Sequence, residues 1–271
     1  MIGPGYDVVL FDLDGTLYRG DEAVPGAPDA VARVRAAGAR VAFVTNNSSR
    51  TQAAIASHLS AVGIPATPAE IETSAIVTAQ RLMDRKCAVA FVIGEEGILE
   101  ALRDSGIRVA DPDEEVADAV VVGFDRGLDY PKLRQACLLV ERGAALIATN
   151  ADRSFPAPDG FWPGAGALLA AVETTTGRTG EVIGKPAAPL LEAARGRGGG
   201  GTPLVVGDRL DTDIAGANGL GWDSLLVLTG ITSRGDLGPN GPQPTFVRDD
   251  LRALFAGEPD GPAGYAQGVK P

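Results

Sequence analysis

Residues 8–11, Val-Val-Leu-Phe, form an unbroken apolar run that stops at two aspartates, Asp12 and Asp14, followed by Gly15 and Thr16. A short run with no polar alternation reads as a strand buried on both faces, as in a parallel sheet covered by helices. Carboxylates at the carboxyl end of such a strand fall where open α/β sheets hold their ligands. Two carboxylates this close repel each other in a dry site. They are tolerable when a cation sits between them or when one keeps a proton. That pairing suits a metal-assisted reaction with one nucleophilic and one acid–base aspartate. The same residues also fit a strand that runs into a polar Asp-Gly turn.

Further apolar runs follow at Val41–Val44, Val89–Ile93, Ala119–Val122, Ala145–Ala148, Leu204–Val206 and Leu225–Leu228. Amphipathic stretches separate most of them: Pro28–Ala37, Thr51–Val62, Glu95–Ser105, Pro131–Arg142 and Ala165–Thr175. This rhythm predicts βα units and a mainly parallel sheet. With 271 residues the chain is long enough for two units rather than one. Gly196–Gly201 lacks the Lys-Ser/Thr of a phosphate loop and reads as a turn. The Gly- and Pro-rich segment 257–271 reads as a loosely held tail.

The formal charge of −11 repels nucleic acid and anionic lipid, so neither is an expected partner. An anionic substrate must then be drawn in by a local feature. The two cysteines, Cys87 and Cys137, lie in apolar stretches and read as buried free thiols. A single histidine, His58, excludes a Cys/His zinc cluster. No apolar run approaches the ~18–20 residues of a membrane span, and the first residues do not form a basic region ahead of an apolar core. The expected location is the cytoplasm.

Three more segments carry chemistry. Thr45-Asn46-Asn47-Ser48-Ser49-Arg50 joins a strand to a helical stretch. Its hydroxyl and amide residues suit helix capping, and equally a phosphate at a helix start. Ile183-Gly184-Lys185-Pro186 puts a lysine before a probable helix. Lys185 reads either as a solvated surface charge or as a counter-charge to aspartates and phosphate. In Leu204–Ile214 another buried strand ends in Gly207-Asp208, with Asp211 and Asp213 after it. The last two also suit a helix start through its dipole. Asp208 repeats the placement of Asp12, and a hard dication bound by oxygens fits Asp12, Asp14 and Asp208 together. Magnesium is the natural choice.

These four segments, in this order, resemble the haloacid dehalogenase superfamily. Thr45-Asn46-Asn47, Val122-Gly123-Phe124-Asp125 with Tyr130 and Leu133, Thr149-Asn150-Ala151-Asp152, and Pro163-Gly164-Ala165-Gly166 leading to Ile183–Pro186 are similar to its NagD-like phosphatase branch. The resemblance covers roughly residues 6–255. It implies a doubly wound, Rossmann-like parallel-sheet core over 1–78 and 180–256, with an inserted α/β cap over 79–179.

The same resemblance implies Mg-dependent hydrolysis of small phosphate monoesters. Asp12 would be the nucleophile that forms an aspartyl-phosphate, and Asp14 the acid and then the base. Asp12, the Asp14 main-chain carbonyl and Asp208 would hold magnesium. Thr45 and the Asn46 N–H, with Asn47 beside them, would bind the phosphoryl group. Lys185 would balance the nucleophile's charge, and Gly15 would support the loop. Asp213, or less readily Asp211, would orient Lys185 or a metal-bound water. In the cap, Asn150, Asp152 and Arg153 are expected to reach the substrate or to hold their own loop. Glycerol phosphate, phosphoglycolate, a nucleoside monophosphate and pyridoxal phosphate fit as substrates. Relatives of this kind often pair through the cap, so a homodimer is expected. Asp14 separates this reading from dehalogenases, which lack it. A phosphomutase and a non-catalytic ligand-binding protein on the same fold are the alternatives.

Overall fold

The computed structural model describes residues 5–157 and 159–254. The tail read at 257–271 lies outside the described residues. The chain divides into two compact units, one made of Met1–Thr45, Ile55–Glu72 and Lys185–Pro271, the other of Asn46–Ala54 and Thr73–Gly184.

The first unit is built on a six-stranded sheet in the order Phe246–Arg248, Asp223–Val227, Pro203–Gly207, Val8–Phe11, Arg40–Thr45, Ile71–Thr73. Val8–Phe11 lies near its centre, parallel to both neighbours. All four of its residues are buried, which accounts for the unbroken apolar run. Alternate side chains serve opposite faces. Val9, Phe11, Phe43 and Val206 join a core with Val31, Val34, Ile55 and Leu59 from helices Ala27–Ala36 and Gln52–Ala61. Helix Ala188–Arg197 packs on strands Val8–Phe11 and Arg40–Thr45 and buries Leu190, Leu191 and Ala194. Phe11 and Phe43 are completely buried, and each contributes about 2–3 kcal/mol by leaving water. The sheet is doubly wound, as the βα rhythm predicts.

The second unit has its own parallel sheet, in the order Glu181–Val182, Ala145–Ala148, Ala119–Val122, Val89–Ile93, Arg108–Val109. An antiparallel hairpin, Ser154–Ala157 with Gly160–Pro163, follows its strand Ala145–Ala148 in the chain. A proline in each arm obscures that hairpin in the sequence.

The edges of this unit differ from the 79–179 expected of a cap. Helix Ser74–Asp84, unmarked in the sequence reading, begins at Thr73, whose side chain accepts from the Ile76 N–H at 3.2 Å. It packs against helix Glu96–Asp104, and Ser74 Oγ donates to the Asn46 carbonyl. The backbone of Gly97 lies against the carbonyls of Ser48 and Arg50. Packing therefore draws both 46–54 and 73–78 into the second unit. Cys87 and Cys137 are free thiols, half-buried and buried respectively. Among the described residues no helix is long and apolar enough to cross a membrane.

Candidate active site

Strand register builds the site. Phe11 pairs with Val206 on one side and with Phe43 on the other. The neighbouring strands run one and two residues further, to Gly207 and Thr45, and the residues at and just beyond these ends lie at the carboxyl edge of the sheet. The Asp12 N–H donates to the Val206 carbonyl at 2.8 Å, which continues the ladder by one residue and fixes the start of the Asp12–Leu17 turn. Asp208 lies two residues past Val206 and is fully buried. Its Oδ2 accepts the Ile231 N–H at 2.7 Å, and Thr16 Oγ1 lies 3.5 Å from its Oδ1. Gly230 packs so closely on this carboxylate that a Cβ there would overlap it. The loop after strand Asp223–Val227 thus forms one wall, and Thr229 Oγ1 donates to the Gly15 carbonyl at 2.7 Å. Gly15 itself adopts a φ of 84°, a conformation that L side chains rarely take.

Lys185 is the cation of the site. It is buried, and its Nζ donates to Asp12 Oδ1 and to Asp213 Oδ1 at 2.6 Å each. Asp213 is brought inward by the wide turn Leu210–Ile214, in which the Ile214 N–H reaches back to the Arg209 carbonyl. Asp211, on the same turn, faces solvent and pairs with Arg209 at 2.8 Å. Only Asp213 therefore orients Lys185.

One carboxylate oxygen each from Asp12, Asp208 and Asp213 lie within 4.8 Å of one another. Burial pushes the Asp12 carboxyl well up, with the charges of Asp213 and Asp208 adding to it and Lys185 opposing. Burial and the Asp213 charge push Asp208 up to about 6. For Lys185, burial favours the neutral amine, but the Asp12 and Asp213 carboxylates outweigh it and keep the ammonium charged. Three carboxylates facing one ammonium leave the cluster short of positive charge. Its hard oxygen donors fit a small divalent cation.

Asp14 is exposed, outside this cluster, and bridges in strand fashion to Tyr18 of the hairpin Tyr18–Arg19/Glu22–Ala23. Of the expected metal set of Asp12, Asp14 and Asp208, the side chains of Asp12 and Asp208 lie together with that of Asp213, and the side chain of Asp14 is not in this group. For Asp14 the metal expectation concerned its main-chain carbonyl rather than its side chain. Thr45 is buried as the last residue of strand Arg40–Thr45.

The second unit gathers the remaining candidates. Asn46 is buried and its Nδ2 donates to both oxygens of Asp152, at 3.2 and 3.4 Å. Asn47 Oδ1 accepts from the Ser49 N–H at 3.0 Å and from Ser49 Oγ at 2.7 Å. Asn150 is buried. Sequence reasoning did not single out Thr16, Ser74, Thr229 or Gly230. The last two carry a weak signal, because they follow the apolar run Leu225–Leu228 as Asp12 follows Val8–Phe11.

Residues 9–108 match the family described as haloacid dehalogenase-like hydrolase, and residues 182–254 match the HAD-hydrolase-like family. The D-glycerol 3-phosphate phosphatase of Mycobacterium tuberculosis is 39% identical over 257 residues, covering 93% of this chain and 72% of its own. The 5'-nucleotidase YutF of Bacillus subtilis is 39% identical over 249 residues, covering 91% of this chain and 96% of its own. The crystal structure of the glycerol phosphate phosphatase Rv1692 from M. tuberculosis, in complex with magnesium, superposes with a TM-score of 0.86 at 39% identity. It covers 92% of this chain and 76% of that one. Sequence and fold agree: the chain belongs to the haloacid dehalogenase-like hydrolases, in their NagD-like phosphatase branch.

Proposed function

We propose that the protein is a magnesium-dependent phosphatase that hydrolyses small phosphate monoesters through an aspartyl-phosphate on Asp12. The observation that carries this reading is the buried cluster of Asp12, Asp208 and Asp213 around one lysine. Relatives at 39% identity over most of the chain are named as phosphatases, and one was crystallised with magnesium.

Asp12, the Asp14 main-chain carbonyl and Asp208 would hold the ion, with Asp213 beside them. Magnesium bound there would neutralise charge on the phosphoryl oxygens. Asp12 attacks phosphorus, and the bond to the leaving oxygen breaks as Asp14 supplies that oxygen's proton. Asp14 then removes a proton from water, which attacks phosphorus and releases phosphate and Asp12. Lys185 offsets the charge of Asp12 before attack and can donate to a phosphoryl oxygen afterwards. Asp213 holds Lys185 in place. Thr45 and the Asn46 N–H bind the phosphoryl group. Most of the acceleration comes from positioning and charge stabilisation.

The inserted unit is assigned the substrate-selecting role of a cap, and pairing of two copies through it is part of the same proposal. We also propose a cytoplasmic location, which two free thiols support.

Release of nitrophenolate from nitrophenyl phosphate, with magnesium and with chelator, tests the reaction class. Magnesium-dependent turnover is expected. No turnover on this ester or on a panel of small phosphates would move the protein to a non-catalytic, ligand-binding role. Ranking that panel by kcat/KM identifies the substrate class.

A further inference from the structure

His58 is the single histidine of the chain, and no step of the reaction uses it. It lies in the part of helix Gln52–Ala61 that belongs to the first unit. Ile55 and Leu59 of the same helix are buried in the core of that unit, and the His58 side chain is only 14% exposed. There it meets the hairpin Tyr18–Arg19/Glu22–Ala23. Arg19 pairs with Glu22, so Gly20 and Asp21 form a two-residue turn, and Gly20 takes the φ of 56° that suits such a turn. His58 Nε2 lies 2.9 Å from the Gly20 carbonyl. A carbonyl only accepts, so Nε2 carries the proton and donates. The imidazole also stands edge-on to the buried Tyr18 ring, with centroids 4.5 Å apart, and its Nδ1 faces the Asp21 carboxylate at 3.8 Å.

Tyr18 connects this contact to Asp14. The Tyr18 N–H donates to the Leu13 carbonyl at 3.3 Å, and the Tyr18 carbonyl accepts the Gly15 N–H at 2.8 Å. The Leu13 carbonyl belongs to the peptide group before Asp14, and the Gly15 N–H to the one after it. Peptide groups are planar. One residue therefore fixes both planes that flank Asp14, and with them the direction in which its side chain leaves the backbone. Asp14 itself is exposed, so burial does not hold its carboxyl.

We propose that His58 is a positioning residue for proton transfer: by pinning the hairpin at Tyr18 and Gly20, it holds the backbone frame that aims Asp14 at the leaving oxygen. This rests on the phosphatase reading, in which Asp14 supplies that oxygen's proton. His58 acts through the hairpin, so its effect depends on how much the leaving group needs an acid. An alkoxide departs only as a proton reaches it, whereas nitrophenolate is stable as an anion and departs without one. A misaimed Asp14 slows the first reaction and spares the second.

His58→Phe keeps a ring against Tyr18 and removes the donor to Gly20. His58→Gln keeps a donor of similar reach. Both are compared with the parent protein by kcat/KM, which reports the steps through leaving-group departure, on glycerol phosphate or another alkyl ester and on nitrophenyl phosphate. Hydrogen exchange of peptides covering residues 13–24 is measured in parallel. In His58→Phe, kcat/KM is expected to fall about tenfold on the alkyl ester and less than about threefold on nitrophenyl phosphate. Exchange over 13–24 should quicken about fivefold. His58→Gln should lie closer to the parent in both readouts. Equal losses on the two esters would make His58 merely structural and overturn the proposal. Parent-like exchange over 13–24 in His58→Phe would overturn it as well, as would a His58→Gln protein as impaired as His58→Phe. Should His58→Phe not fold, His58→Asn, too short to reach the Gly20 carbonyl, is read in its place. If the parent protein turns over no ester at all, the phosphatase reading fails by itself. In that case, or if no alkyl ester is turned over, exchange alone decides: faster exchange confined to 13–24 supports the pinning of the hairpin, and unchanged or unit-wide exchange overturns it.

Discussion

Lys185 Nζ stands 2.6 Å from Asp12 Oδ1 and 2.6 Å from Asp213 Oδ1, so one buried ammonium is shared by two carboxylates from different segments of the chain. Asp12 ends a central strand, and Asp213 lies on the turn after the neighbouring one. Replacing Lys185 by methionine leaves both carboxylates without that partner and keeps the volume. Turnover should fall by about 10²–10³, the usual effect of losing one charge-stabilising donor. The fall in Tm should be partly reversed by magnesium. Steady-state kinetics and thermal unfolding with and without the ion check this, and an unchanged kcat would remove Lys185 from the mechanism.

Magnesium binding should depend on pH. A cation needs Asp208 ionised, and in the ion-free protein its carboxyl is pushed up to about 6. Below that pH a proton competes, and Asp12, also pushed up, takes a second, so the apparent Kd for magnesium should rise at least about tenfold per pH unit. Calorimetric titration at pH 5, 6 and 7 reads the slope; a flat Kd across this range would contradict the assignment of Asp208.

Gly230→Ala should weaken magnesium binding while the fold persists. A Cβ at Gly230 would overlap the Asp208 carboxylate, and the carboxylate must turn away to make room. A loss of at least about tenfold in magnesium affinity is expected, comparable with losing a group that orients a ligand. Parent-like affinity would mean that the wall beside Asp208 has no role in holding the ion.

The strand ends were legible in the sequence because Val8–Phe11 and Leu204–Val206 are apolar to their last residue and then turn abruptly to carboxylate. Register did the rest, pairing Phe11 with Val206. The choice between Asp211 and Asp213 was not legible. Both follow the same strand, and only the wide turn at Leu210–Ile214 decides which one faces Lys185. The network at Asn46 was hidden for a different reason. Its partners Asn150 and Ser74 are 104 and 28 residues away, and spacing along the chain carries no trace of such contacts. Helix Ser74–Asp84 sets the edge of the second unit through packing with Glu96–Asp104, which apolar runs alone do not reveal.

Glu72 and Arg197 give a prediction about stability. Glu72 is buried, and Arg197 Nε reaches its Oε2 at 2.6 Å. Burial pushes the Glu72 carboxyl above its ordinary 4.5, with Arg197 opposing. A folded acid that holds its proton more tightly than the unfolded chain costs stability as pH rises past 4.5. Arg197→Ala removes the opposing charge and enlarges that cost. The variant should be near the parent's stability at pH 4 and about 2 kcal/mol less stable at pH 7. Urea unfolding at the two pH values measures the difference; an equal deficit at both would contradict the charge account.

The most direct test of the covalent role of Asp12 is the Asp12→Asn protein, assayed for phosphate release with magnesium and checked for its fold by circular dichroism and Tm. The account predicts a folded protein whose turnover is lower by at least about a thousandfold, because the amide cannot form the phosphoryl ester. A folded Asp12→Asn protein that still releases phosphate at near the parent rate would contradict it.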